Sequence, residues 1–146
     1  MLQQDKAGEG DTLESYLCAA NIKWSGVDTS VQKQMWFSSV EKEQYLLKSG
    51  DLLIMDGGLA GTACSYNGEY DPCYIQNSVL RCRGKSGNLE RFLYYWINAV
   101  YCKGYIDSIC NKATIQHYTK EKVMDSPIFL PPLEEQQSIV FYLDTQ

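Results

Sequence analysis

Short apolar runs closed by turn formers fill the first half of the chain, and apolar positions at helical spacing fill much of the second. YLCAANI at 16–22 is compact, apolar and flanked by polar residues, which predicts a buried strand. VQKQMWF at 31–37 alternates weakly and predicts another. VEKEQYLLKSGD then predicts a short helix ending at Gly50, followed by a strand over Leu52–Met55. Gly57, Gly58 and Gly61 predict a tight turn, with residues 62–66 running back as the partner strand. Asn67-Gly68 and Asp71-Pro72 mark further turns. Residues 73–83, rich in Tyr, Ile, Val and Leu, predict the longest strand.

The clearest helical period follows, with Leu89, Phe92, Leu93, Trp96 and Val100 on one stripe, Asn88 as N-cap and Gly104 as the stop. IDSIC predicts one more helical turn, and Thr119 a cap for a short helix. Prolines 127, 131 and 132 frame an extended piece at 128–130. After Pro131-Pro132, the acidic first turn of Glu134 and Glu135 complements a helix dipole. Gln136, Ile139, Val140 and Leu143 continue at three- and four-residue steps, a seam suited to packing on another helix. Trp36 and Trp96 are expected in the core. The fold class expected is α/β (α+β): a twisted, largely antiparallel sheet with peripheral helices, residues 1–132 forming one domain and 133–146 a helix start.

Composition narrows the function classes. The 146 residues are 45% hydrophobic and 21% charged, ordinary for a globular chain able to bury a core. No apolar run approaches the roughly 18 residues of a membrane span. The polar, acidic start MLQQDKAGEGDTLES is no export signal, so the expected location is the cytoplasm. Cys18, Cys64, Cys73, Cys82, Cys102 and Cys110 form no metal-ligand spacing and are expected as reduced thiols, mostly in the core; neither metal nor cofactor is expected. The net charge of −5 runs against nucleic-acid binding, but its distribution does not. Residues 81–122 hold eight Lys or Arg against three acids, whereas residues 1–72 hold five Lys against eleven acids. That asymmetry is what a binding face needs.

SPIFLPPLEEQQSIVFYLD resembles the junction between a target-recognition domain and the spacer helix of type I restriction-modification specificity subunits. Four upstream segments agree in order: YLCAANIKWSGVD with the opening strand and loop, YLLKSGDLLIMDGGLAG with the glycine hairpin, CYIQNSVLRCR with a central strand, and KATIQHYTKEKV with a loop and helix. The chain departs from the family at Gly61-Thr62-Ala63, where an arginine or other polar residue is common, and the family's opening strand and helix are expected to be missing ahead of Lys6. The resemblance implies a non-catalytic reader of one DNA half-site. Its partners would be double-stranded DNA, a methylation subunit that modifies adenine, a restriction motor subunit, and a second recognition domain or second copy through the C-terminal helix. The alternative is a truncated assembly fragment that dimerises or binds the methylation subunit without useful DNA affinity.

Within this frame, Asn111, Lys112, Thr114, Gln116, His117 and Lys120 supply base- and phosphate-reading groups in one short loop. Gln76 and Asn77 stand mid-strand, either as DNA contacts or as pins for a neighbouring loop. Lys23 and Trp24 fall in a segment that resembles another recognition loop, although Trp24 suits a core cap equally. His117 is the sole histidine, and no catalytic triad is legible around it. The glycine turn lacks a P-loop's Lys-Ser/Thr and precedes a strand, which excludes a phosphate cradle of that kind.

Overall fold

The computed structural model describes residues 7–85, 87–110 and 115–146. It is a mixed α/β domain with two three-stranded sheets, a small two-stranded ribbon and five α-helices among those residues.

In the first sheet, β1 (Thr12–Leu17) lies between β4 (Lys33–Phe37), antiparallel, and β7 (Tyr74–Ile75), parallel. The pleat of β4 buries Met35 and Phe37 with Tyr16 and Tyr74. Trp36 alternates to the other face, opposite the exposed Leu13, and is only half-buried. The expectation that Trp36 belongs to the core is therefore corrected by strand period. Trp96 does pack against a core, from a half-buried position.

The second sheet is built on β5 (Leu52–Met55), antiparallel to both β6 (Ala63–Ser65) and β8 (Val79–Cys82). All four residues of β5 are buried. Leu53 and Met55 enter one cluster with Leu17, Ile22, Tyr66 and Ile75; Leu52 and Ile54 enter another with Ile97, Ile106 and Tyr118. A run of four apolar residues is what a strand covered on both faces requires. The second cluster is closed by α2 (Glu90–Cys102) and α3 (Tyr105–Ile109). Between β5 and β6 the chain turns through Gly58 and Gly61, both at positive φ. A Cβ on Gly61 would run into the Ile106 side chain.

Three local expectations change. Residues 16–22 are not one strand: β1 ends at Leu17, a 3-10 turn follows, and Ile22 begins the ribbon β2 (Ile22–Lys23) and β3 (Gly26–Val27). Asn21 forces this break, because its buried amide binds the Cys18 N–H and the carbonyls of Asp28 and Val31. Residues 73–83 are likewise split into β7 and β8, with the longest described strand being β1 instead. The Val79 N–H closes a turn on the Gln76 carbonyl, carrying the chain from the first sheet to the second. The helix after residue 38 ends earlier than Gly50. It is α1 (Ser39–Tyr45), opened by a Ser38–Glu41 capping box, and its exit bridges Leu46 to Tyr74.

The predicted Leu52–Met55 strand, its partner near 62–66, and the Thr119 cap of α4 (Lys120–Asp125) appear as expected. The last helix, α5 (Leu133–Asp144), packs on α2. Among the described residues no helix is long and apolar enough to cross a membrane.

Opposite faces of β4 give a direct check. Met35→Ala should cost about 3 kcal/mol in chemical denaturation, as a cavity in a closed core does, and Trp36→Ala clearly less. Equal losses would mean that Trp36 is part of the core after all.

Candidate nucleic-acid interface

Three segments meet where β5 ends and β8 begins. The Asp56 N–H binds the Ser78 carbonyl at 3.0 Å, and the Tyr118 N–H binds the Asp56 carbonyl at 2.7 Å. Gly57 forms an isolated bridge with His117. The glycine loop, the turn at Gln76–Ser78 and the segment Gln116–Lys120 are thus joined through Asp56. Gly57 lies close to His117: a Cβ there would stand 3.2 Å from the imidazole, so a larger residue would push the ring aside.

His117 Nδ1 stands 2.9 Å from Asp56 Oδ1, with the histidine side chain 57% exposed. A proton on Nδ1 donates to the carboxylate and leaves Nε2 as the outward-facing group. Cys110 Sγ lies 3.1 Å from the His117 carbonyl and so addresses the backbone, not the imidazole. Lys122 also spends its ammonium on the His117 carbonyl, at 2.7 Å. Gln116 Nε2 is 3.4 Å from Asp107.

Beside this junction runs an open groove of about 730 Å³ between α1, β8 and α4. Gln76, Asn77 and Lys120 line it together with Arg81, Arg83 and Lys85. Its floor includes Val79, Leu80, Leu93 and Val123. The cations differ in availability. Arg83 makes a two-pronged pair with Asp51, which is 3% exposed and also accepts the Lys48 N–H. Arg81 donates to the Leu46 carbonyl at 2.6 Å, and burial with the nearby Arg83 lowers its pKa from the usual arginine value. Lys85 and Lys120 are exposed and make no ion pair among the described residues. They are the rim's free cations.

The structure gathers Gln76, Asn77, His117, Gln116 and Lys120 at one end of the second sheet. Lys23 and Trp24 lie elsewhere, on the ribbon beside β6. Trp24 packs edge-on against Tyr101 at 5.0 Å and Tyr94 at 6.0 Å, with its carbonyl accepting from Tyr94 Oη, so it caps α2. Asn111, Lys112 and Thr114 lie outside the described residues. Asp56 was not anticipated; nothing in an isolated Asp-Gly-Gly says that its carboxylate will meet a histidine 61 positions later. Gln44 and Tyr45 also line the groove, where their sequence context marks them only as helix residues.

The C-terminal seam divides. Gln136 is 1% exposed and bonded within the chain, so it is no free partner-facing residue. Ile139 and Val140 are half-buried, and Leu143 is 37% exposed. Asn88, expected as the cap of α2, instead donates to the Lys85 carbonyl; Leu89 holds the cap position. All six cysteines are free, with Cys18, Cys64, Cys73 and Cys110 buried and Cys102 exposed. Burial pushes the thiols of Cys64 up to about 12 and of Cys73 and Cys82 up to about 11.

A rigid sheet that presents loops carrying amide, imidazole and ammonium groups has the layout of a recognition domain. The chain matches the family described as "Type I restriction modification DNA specificity domain" over residues 15–145, and it belongs to that family. DNA sequence recognition is this family's role. The search of curated proteins returns no match. Among solved structures, the chain is 23% identical to one described under "complex assembly and conformational transition of the type I R-M system". That match has a TM-score of 0.67 and covers 99% of this chain and 34% of the other. It is 21% identical to the HsdS subunit from Thermoanaerobacter tengcongensis, with a TM-score of 0.64 and coverage of 99% and 33%. These likenesses establish the fold, and the chain spans about a third of each solved chain it matches.

Thiol chemistry offers a test of the site as non-nucleophilic. Under native conditions near neutral pH, alkylation should modify Cys102 rapidly and Cys64, Cys73 and Cys110 only on unfolding. Rapid native labelling of Cys110, read by peptide mass spectrometry, would contradict this packing.

Proposed function

We propose that the domain reads one half-site of double-stranded DNA through the converging loops at Asp56–Gly58, Gln76–Ser78 and Gln116–Lys120, with the groove rim contacting phosphates. The carrying observation is the convergence itself: amides, an oriented imidazole and the unpaired Lys120 occupy one end of a rigid sheet, and the groove beside them carries the unpaired Lys85 towards its other end. Amides pair in two-pronged fashion with adenine, and lysines neutralise phosphate or bind guanine. Lys112, close by in sequence, adds a further phosphate contact, and Asn111 and Thr114 further base-reading groups.

The domain is a specificity component that performs no chemistry itself. Adenine methylation falls to a methylation subunit, which extrudes the base from the stack, and restriction to a separate motor subunit. Residues 1–132 form the reading domain and 133–146 the start of a spacer helix. The exposed Leu133, Phe141, Tyr142 and Leu143 on that helix suit a second recognition domain, a second copy or the methylation subunit. This assembly acts on DNA in the cytoplasm.

Two groups of substitutions separate phosphate from base contacts. Replacing Lys85, Lys112 and Lys120 by alanine should weaken binding to all duplexes and flatten its salt dependence by about one unit of slope per lost contact. Replacing Asn77, Gln116 or His117 should change the preferred sequence in a selection from random duplexes. Unaltered affinity and preference throughout would remove DNA reading from this face.

A second reading is favoured by the same exposed apolar residues of α5: the chain serves as an assembly piece without useful DNA affinity. A gel-shift with and without the methylation subunit distinguishes the two, because an assembly piece alone retards no duplex.

A further inference from the structure

Helix α2 has no capping side chain from its own strand of sequence, since Leu89 at the cap position offers none. The Leu89 N–H instead donates to Gln136 Oε1 of α5 at 3.1 Å. Gln136 Nε2 donates twice, to Asn88 Oδ1 at 2.7 Å and to the Pro131 carbonyl at 2.9 Å. The amide thereby makes three of the four hydrogen bonds open to it while 1% exposed, and it is the single buried residue of α5. One acceptor and two donors are needed at this spot. A carboxylate lacks the donors, and an apolar side chain lacks both.

A second polar link ties the far end of the helix. Asp144 accepts from Arg91 Nη2 at 2.7 Å, from Arg91 Nε at 2.8 Å and from the Tyr95 hydroxyl. The Arg91 guanidinium is itself held over the rings of Tyr94 and Tyr95, at 4.6 and 4.8 Å. These hydrogen bonds keep the Asp144 carboxyl below its usual range. The link is therefore intact at neutral pH and is lost as pH falls through that lowered value. Helix packing alone leaves room for sliding and swinging, and so does a single polar contact. Two directional contacts eight residues apart, about 12 Å along the helix, remove both motions.

We infer that Gln136 is a positioning residue which, with Asp144, makes a two-point joint fixing the direction of α5 relative to the loop-bearing sheet. The joint sets where anything attached to α5 stands with respect to the loops. It concerns geometry alone and holds whether or not those loops read DNA, so a failure of DNA binding leaves it standing.

Residual dipolar couplings of the backbone amides, measured on the full chain in a weakly aligning medium, report that direction. In the parent protein, couplings from β5, α2 and α5 should fit one alignment tensor. Gln136→Met keeps the volume and removes the hydrogen bonds. It should cut the α5 couplings by about two-fold or more through added swing, with those of β5 and α2 retained. Asp144→Asn, at an exposed position that cannot unfold the core, should reduce them in the same direction, and the double variant further. A merely stabilising role would lower the melting temperature and leave α5 on the common tensor. That outcome in Gln136→Met overturns the inference. Should that variant not fold, unchanged α5 couplings in Asp144→Asn overturn it.

Discussion

Burial of β5 on both faces is the constraint on which the rest of the molecule is arranged. Leu52 and Ile54 require cover on one side and Leu53 and Met55 on the other, so a single sheet with one wet face cannot satisfy this strand. The helices α2 and α3 supply one cover. The other is formed by Leu17, Ile22, Ile75 and their neighbours, which is why the β4–β1–β7 sheet and the β2–β3 ribbon stand on that side. The parallel pairing of β1 with β7 follows from that need: it brings the distant β7 to the edge of β1 just before the chain crosses into β8.

The crossing has a functional consequence. Because β7 and β8 belong to different sheets, Gln76, Asn77 and Ser78 are pushed out as a turn at the end of β5, beside the glycine loop and the His117 segment. Amides that would be costly in the middle of a buried strand are thereby placed at a surface, where their hydrogen-bonding capacity is open to a ligand. The acidic total charge is compatible with this face. Asp51 is buried and spent on Arg83, and Asp144 is spent on Arg91, while Lys85 and Lys120 keep their charge at the groove. Local potential at a contact surface, more than the sum over the chain, governs association with a polyanion.

Periodicity carried the parts that depend on neighbours in sequence. The strand at Leu52–Met55, its antiparallel return, the Thr119 cap and the helices at 90–102 and 133–144 were legible because apolar spacing, glycine and capping residues act locally. Residues 73–83 misled, because two short apolar pieces on either side of Gln76-Asn77-Ser78 look the same whether they stay in one sheet or bridge two. Trp36 misled for a related reason: a strand alternates, but sequence does not say which face is covered. Asn88 was a fair cap by type. Its place was taken by Gln136, 48 positions away.

What the sequence determined by itself, then, was the locally signalled elements (the Leu52–Met55 strand and its return, the α2, α4 and α5 helices), the reduced-thiol chemistry and the family to which the chain belongs, all of which are written in residue types and short spacings. Tertiary structure alone decided which polar groups meet: Asp56 with His117, Arg83 with Asp51, and Gln136 with the start of α2. Such pairs are chosen by long-range geometry, where an amide or carboxylate finds its partner only after the apolar strands and helices have been packed. The candidate reading face and the fixed direction of the last helix both arise at that stage.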